Sequence, residues 1–364
     1  MEFYPSPFVT MRNSPSAVAF CDLFTGQQLV LKGSAGSALA AVFNQATTID
    51  SFLSKYPAEA QRAISLSLLT AEPSHDPYLR CMISSIDIEP AGSCNAVCGM
   101  CPRAAMTRPK TVMSTATFDA VCRQLGKTFP GAIQKVFFCG FGEPLQNPYL
   151  QEMSRRIRGL APHASISVIS NGSLLSDPLI ESLVASEINL FSCSYQSNTK
   201  RRYESIMRGL NFDSTTAGLK RLIAAARGTK LAVCISITAT EDNSSEIPAM
   251  VADWEKQGAQ VVVNSLHNRG GYLTIEGRHR PGDKPVKRCG LTNSRLFISS
   301  EGEILSCCHD LGGETRIGNI NTEPLIEILK RKLSRIAGSE LYSICGKCDD
   351  DSAHVPVPLN NAAH

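Results

Sequence analysis

The chain has 364 residues, 43% of them hydrophobic and 19% charged, and a formal net charge of +3. That length allows two or three domains, or one barrel with attachments. The near-neutral balance gives no field of the kind that nucleic-acid or membrane-surface binding needs. The one dense basic run, Lys200-Arg201-Arg202, reads as a solvated helix start. The first fifteen residues carry Glu2, Pro5 and Pro7 and no apolar core, so no secretion signal is expected. No apolar run approaches a membrane span, and a cytoplasmic location is expected. In such a compartment, 14 cysteines argue for metal binding over disulfides.

Residues 1–78 form a separate α+β block. Strands are expected at 17–20 and 28–31 around a Thr25-Gly26 turn, and helices at 37–44, 49–55 and 58–69, with Thr48 or Asp50 as a start signal. The glycine-containing segment 33–37 has neither the lysine nor the spacing of a phosphate loop. Strands then helices in this order resemble a PqqD-type, winged-helix-like peptide-recognition domain. Such domains add a peptide as a strand to a sheet edge. A plain N-terminal cap on the next domain is the alternative.

From residue 79 to 280 the rhythm becomes strand then helix. Strands are expected at 83–89, 135–139, 165–170, 189–194, 231–238 and 260–266, and helices at 115–129, 148–160, 178–186, 216–227 and 245–258. Six βα units imply an α/β fold with a parallel sheet, a partial (β/α)6 TIM-type barrel. Chemistry in such barrels sits at the carboxyl ends of the strands.

The motifs follow those ends. After the first strand come Cys94, Cys98 and Cys101, with three and then two residues between them. Three thiolates on a four-iron cluster leave one iron open. A zinc loop and three buried free thiols are the alternatives. The spacing resembles the CxxxCxxC signature of the radical S-adenosylmethionine (SAM) enzymes, in which the open iron chelates the amino and carboxylate groups of SAM. After the second strand, Gly140-Phe141-Gly142-Glu143-Pro144 resembles that family's GGEP motif, with Phe141 in the first interval. The resemblance implies that Gly142 and Glu143 contact the methionine end of SAM. Ser170 and Asn171 precede Gly172 in a turn similar to the family's ribose-contacting turn, though Asn-Gly is also an ordinary turn. Ser194 stands where relatives carry Ser-x-Asp-Gly, whereas Gln196 and Ser197 depart from that pattern. Tyr203 to Gly209 resembles a YExIRG segment, which implies that Arg208 pairs with the SAM carboxylate. Met100 fills a usually aromatic place and can pack on adenine. His267, in a polar loop after the sixth strand, is an acid-base candidate or a structural histidine.

Residues 281–350 change character. Cys289, a hairpin at 295–299 and 303–306, Cys307, a helix at 322–337, then Cys345 and Cys348 resemble the SPASM and twitch extensions. Four thiolates complete one auxiliary four-iron cluster with no open position. A zinc site, with four thiolates or with three thiolates and an imidazole, is the alternative, and Cys308 and His309 beside Cys307 leave its ligand set open. No further cysteines follow Cys348, so the shorter twitch form is expected, with residues 351–364 as a flexible tail.

The resemblance implies two [4Fe-4S] clusters, SAM, an electron donor such as flavodoxin or ferredoxin, and reductive cleavage of SAM to a 5′-deoxyadenosyl radical that removes hydrogen from an unactivated carbon. The expected substrate is a precursor peptide, with a small sugar or aminocyclitol as the second reading and a non-enzymatic iron–sulfur or zinc module as the third. Cys139 and Cys193 lie near strand ends and read as packed thiols. No catalytic side chain or hydrogen-atom donor is assigned from the sequence.

Overall fold

The computed structural model describes residues 4–5, 9–14, 16–22, 28–44, 48–66, 68–70, 83, 85–129, 133–275, 289–337 and 342–350. The described residues fall into two compact units, 4–70 and 83–350. The expected boundaries near 79 and 281, Cys81, and the tail at 351–364 lie outside the described residues.

The first unit runs β1 (Tyr4–Pro5), β2 (Val9–Asn13), β3 (Ala17–Asp22), β4 (Gln28–Lys32), α1 (Gly33–Phe43), α2 (Ile49–Lys55), α3 (Pro57–Ser65) and β5 (Leu69–Thr70). Strands β2, β3 and β4 form an antiparallel meander, and β1 pairs with β5. Alternation in β4 turns Leu29 and Leu31 inward, where they meet Phe20, Leu39, Val42 and Phe52 in one core. Each such side chain contributes about 1.5–3 kcal/mol by leaving water. Helix α1 packs closely on β4: a Cβ at Gly36 would lie 2.6 Å from the Leu31 carbonyl oxygen. Strand β2 was not expected, because its sequence, Val-Thr-Met-Arg-Asn, lies among prolines and lacks a clear apolar alternation.

The second unit opens with six parallel strands: β6 (Ser85–Ile88), β7 (Lys135–Phe138), β8 (Ser165–Ser170), β9 (Leu190–Ser194), β10 (Ala232–Ala239) and β11 (Gln260–Ser265). They pair in chain order. Between them lie α4 (Thr115–Thr128), α5 (Leu150–Leu160), α6 (Asp177–Ala185), α7 (Lys200–Ile206), α8 (Phe212–Ala226) and α9 (Ile247–Gln257). The expected α/β alternation is therefore what the chain forms. Local chemistry sets the helix ends. Ser114 accepts from the Thr117 amide to start α4, Asn211 accepts from the Ser214 amide to start α8, and left-handed Gly258 ends α9.

The C-terminal part adds α10 (Gly290–Ser294), β12 (Arg295–Ile298), β13 (Glu303–Leu305), β14 (Arg316–Asn319) and α11 (Leu325–Ala337). The expected hairpin is β12–β13. It does not stand apart: β12 lies parallel to β6, so the extension continues the same nine-stranded sheet. No described helix is long and apolar enough to cross a membrane.

One side chain holds the junction. Glu89, just past β6, accepts from Arg108 Nη1 at 2.9 Å and Nη2 at 3.2 Å, from the Phe141 amide at 3.0 Å and from the Ser300 amide at 3.2 Å. Arg108 Nε in turn donates to the Leu311 carbonyl at 3.2 Å. The side chains of Arg108 and Glu89 are 3% and 0% exposed. Removing one member of a buried, fully bonded pair leaves the other charge uncompensated, at a cost of about 3–5 kcal/mol. Glu89→Ala is therefore expected to lose about 3–5 kcal/mol of stability in anaerobic urea unfolding. A loss below about 1 kcal/mol, the scale of an exposed pair, would contradict this account of the junction.

Candidate functional site

The carboxyl ends of the parallel strands and the adjoining extension line a cleft of about 620 Å³. Cys94, Cys98, Met100 and Cys101 enter it from the loop after β6, Gly142 and Glu143 from the loop after β7, and Ser170 and Asn171 from the end of β8. Ser194, Gln196, Ser236 and Thr238 line it from the ends of β9 and β10. All the sequence-derived SAM-site residues reach this cleft except Arg208.

The cysteine loop is fixed by backbone bonds to the segment after α7. Val97 N donates to Arg208 O at 2.8 Å, and Gly99 N to Ile206 O at 2.9 Å. Arg208 is exposed, with Nε donating to the Val97 carbonyl at 3.2 Å, so it braces the loop from outside the cleft lining. Cys94 Sγ accepts from the Ala96 amide at 3.4 Å, and Cys98 Sγ lies 3.6 Å from Met207 Sδ. Burial, reinforced by the neighbouring sulfurs, pushes the Cys98 thiol up to about 12.

Glu143 is spent on architecture. Its carboxylate accepts from Ser170 Oγ at 2.7 Å, the Asn171 amide at 2.8 Å and the Leu145 amide at 3.0 Å, which ties the second loop to the third. Burial raises its pKa and these hydrogen bonds oppose the rise. Asn171 Nδ2 donates to Asn95 Oδ1 at 2.9 Å and so joins the third loop to the cysteine loop. Gly142 is obligatory for space: a Cβ there would sit 1.9 Å from the Ala91 carbonyl oxygen. Gln196, where relatives carry an acid, accepts from the Thr238 amide at 2.8 Å and bridges β9 to β10.

A second group of residues lines the same cleft: Asp87, Cys139, His267, Arg295, Cys308 and Asp350. Asp87 points inward from β6 and lies 3.3 Å from Arg295 Nη1. Burial first, then the nearby Cys308, push its carboxyl up to about 7 against the pull of Arg295. Sequence reasoning missed Asp87, Glu89, Arg108 and Arg295. A signal was present for the first two. Ser85, Asp87 and Glu89 alternate with Ile86 and Ile88, so one face of β6 is polar although the whole strand is buried. His267 lies beside His309 with ring centroids 4.6 Å apart, and burial with the nearby Arg269 and His309 holds its pKa down to about 4. It stays neutral at ordinary pH.

The four other cysteines expected to bind metal gather elsewhere. Cys289, Cys307, Cys345 and Cys348 line one enclosed cavity with Leu291, Ile344 and His309. All four are free thiols, as are Cys94, Cys98 and Cys101. The donor sets fit two clusters: three thiols on an open cleft, and four in a closed apolar pocket. Adjacent residues diverge here, because Cys307 faces the enclosed cavity and Cys308 the cleft.

A mostly parallel α/β sheet with an open three-thiol site and a closed four-thiol site has the donor sets that an iron–sulfur protein needs. The model of the radical SAM superfamily matches residues 88–251, and that of an iron–sulfur cluster-binding domain, SPASM, matches residues 289–349. The chain belongs to the radical SAM superfamily and carries a C-terminal SPASM-type domain; its cofactors are [4Fe-4S] clusters and SAM. It is 25% identical over 172 residues to a GTP 3′,8-cyclase of Chlorobaculum tepidum, covering 46% of this chain and about half, 49%, of that relative's length. It is 25% identical over 280 residues to an S-adenosyl-L-methionine-dependent 2-deoxy-scyllo-inosamine dehydrogenase of Niallia circulans, covering 74% of this chain and 94% of that one. Among solved structures, Streptococcus suis SuiB bound to precursor peptide SuiA matches with a TM-score of 0.58 at 15% identity, over 95% of this chain and 93% of that one. That is a likeness of fold.

The Asp87 carboxyl gives a pH signature. An unfolded carboxyl with a pKa of 3.8 is ionised above pH 4, whereas the folded one stays protonated to about pH 7. The folded state binds the extra proton in that window, so stability falls as pH rises through it. Asp87→Asn is expected to flatten this slope in melting temperatures of the cluster-free protein taken between pH 5 and 8. An unaltered slope would rule out the shift.

Proposed function

We propose that the protein modifies a precursor peptide at an unactivated carbon. The observation that carries the peptide reading is the first unit. Among the described residues it holds a three-stranded antiparallel meander whose edge strands, β2 and β4, each pair only with β3, and the fold likeness to a peptide-bound relative extends over 95% of the chain. An open edge takes an extended peptide as an added strand, with main-chain hydrogen bonds supplying affinity. In this reading residues 1–78 hold the leader, 79–280 form a partial (β/α)6 barrel, and 281–350 form a twitch-type extension.

Cys94, Cys98 and Cys101 would hold the SAM-binding cluster, and Cys289, Cys307, Cys345 and Cys348 the auxiliary one. When bound, these groups would supply electron transfer and the reductive cleavage of SAM. The chain's own residues do the rest. The backbone around Gly142 would contact the methionine end of SAM, while Glu143 holds that loop against Ser170 and Asn171. Met100 and Ser194 line the same cleft and would face SAM there. Asp87 and Arg295 offer a substrate one acceptor and several donors inside the same cleft. A low-potential one-electron donor of the flavodoxin or ferredoxin type completes the system, in the cytoplasm.

A second reading, oxidation of a small polyol such as an aminocyclitol, rests on the dehydrogenase relative, 94% of whose length is matched. Deleting residues 1–78 separates the two. A leader-dependent enzyme keeps SAM cleavage and loses processing of short peptides encoded beside its gene; a polyol enzyme keeps turnover of its substrate. The shared core of both readings has its own check. Replacing Cys94, Cys98 and Cys101 together by Ala is expected to lower the iron content and abolish 5′-deoxyadenosine formation under dithionite. An unchanged cluster spectrum would refute the assignment.

A further inference from the structure

Among the described residues, the thiols lining the cleft are Cys94, Cys98, Cys101, Cys139 and Cys308. Three belong to the CxxxCxxC loop, and Cys139 follows β7 beneath it. Cys308 comes from a different wall, the extension, and its chain neighbour Cys307 turns into the enclosed four-thiol cavity. Cys308 is not alone. The sulfurs of Cys307 and Cys308 and a ring nitrogen of His309 lie within 4.8 Å of one another. His309 is 3% exposed, its Nε2 lies 3.1 Å from Asp350, and its Nδ1 has no hydrogen-bond partner. Asp87 and Arg295 complete the surroundings of Cys308 in the cleft.

We propose that Cys308 is the hydrogen-atom donor to a carbon radical formed in the cleft, so that the enzyme inverts or restores a C–H centre without net oxidation of its substrate. The proposal rests on SAM cleavage in this cleft; it holds for a peptide or a polyol substrate alike, and it excludes net oxidation of either. An S–H bond is weaker than an aliphatic C–H or an O–H bond, so a carbon radical takes hydrogen from sulfur in preference. The 5′-deoxyadenosyl radical removes one hydrogen atom from the substrate carbon. The Cys308 S–H bond then breaks, a new C–H bond forms at that carbon, and sulfur is left as a thiyl radical. One electron from the low-potential donor that the enzyme already requires, with one proton from solvent, restores the thiol. Hydrogen leaves toward the cysteine loop and returns from the extension, which allows the centre to change hand. Asp350 and His309 position the thiol: Asp350 fixes the imidazole, whose free Nδ1 is left for the sulfur beside it.

The test needs no substrate, because a 5′-deoxyadenosyl radical formed alone is itself a carbon radical in this cleft. Reconstituted holoenzyme, freed of added thiols, is treated with SAM and dithionite in D2O, and 5′-deoxyadenosine is analysed by mass. The wild type is expected to give deuterated product. Cys308→Ser, which preserves size and shape but offers only a strong O–H bond, is expected to give 5′-deoxyadenosine with the deuterium lost. Equal labelling in both proteins, or none in either, overturns the proposal. Absence of 5′-deoxyadenosine from both overturns SAM cleavage itself, and the proposal with it. A second readout is independent of turnover. In the holoenzyme, iodoacetamide is expected to alkylate Cys308 while Cys289, Cys307, Cys345 and Cys348 are protected. Protection of Cys308 in place of one of those four would make it a cluster ligand and end the assignment.

Discussion

The arrangement of the second unit depends on one buried carboxylate. Glu89 stands where the first parallel strand ends, and its oxygens take donors from three directions: Arg108 beyond the cysteine loop, the Phe141 amide in the glycine loop, and the Ser300 amide in the extension hairpin. A buried charge is costly unless every lone pair is met. Here the need to satisfy Glu89 forces three segments distant in sequence to converge. The cysteine loop and the glycine loop can then form one cleft only in one relative position. Glu143 repeats the device one strand further along, joining the second loop to the third.

The junction of β12 with β6 has a chemical consequence. Because the extension continues the parallel sheet, its residues come directly to the cleft wall. Arg295 opens β12 and meets Asp87 from β6, and the turn after β13 delivers Cys307 and Cys308 to two different cavities. One peptide unit thus separates the closed four-thiol site from the open cleft. That spacing brings the two cavities to one shared wall, with Leu291 and Ile344 among the apolar side chains that line the closed one.

Much of the site was legible in the sequence because its chemistry is local. CxxxCxxC needs three thiols on one loop, and the Gly-Phe-Gly-Glu-Pro segment needs a chain that can approach another backbone closely, as the 1.9 Å clearance at Gly142 confirms. The strand–helix rhythm was equally local, and the starts and stops set by Ser114, Asn211 and Gly258 lie within a turn of the residues they cap. Arg208 was less legible. Its motif suggests a ligand contact, while the bond its guanidinium makes to the Val97 carbonyl depends on how the segment after α7 meets the cysteine loop.

What the sequence determined by itself was the alternation of elements, the cysteine spacings and the kind of chemistry they serve, since each depends on residues near one another in the chain. Tertiary structure alone decided which face of β6 turns Asp87 and Glu89 inward, that β12 pairs with β6, and that neighbouring Cys307 and Cys308 face different cavities. Those outcomes follow from pairing and burial between segments some two hundred residues apart. No local propensity or spacing encodes such contacts, because each is settled only when the partner segment arrives.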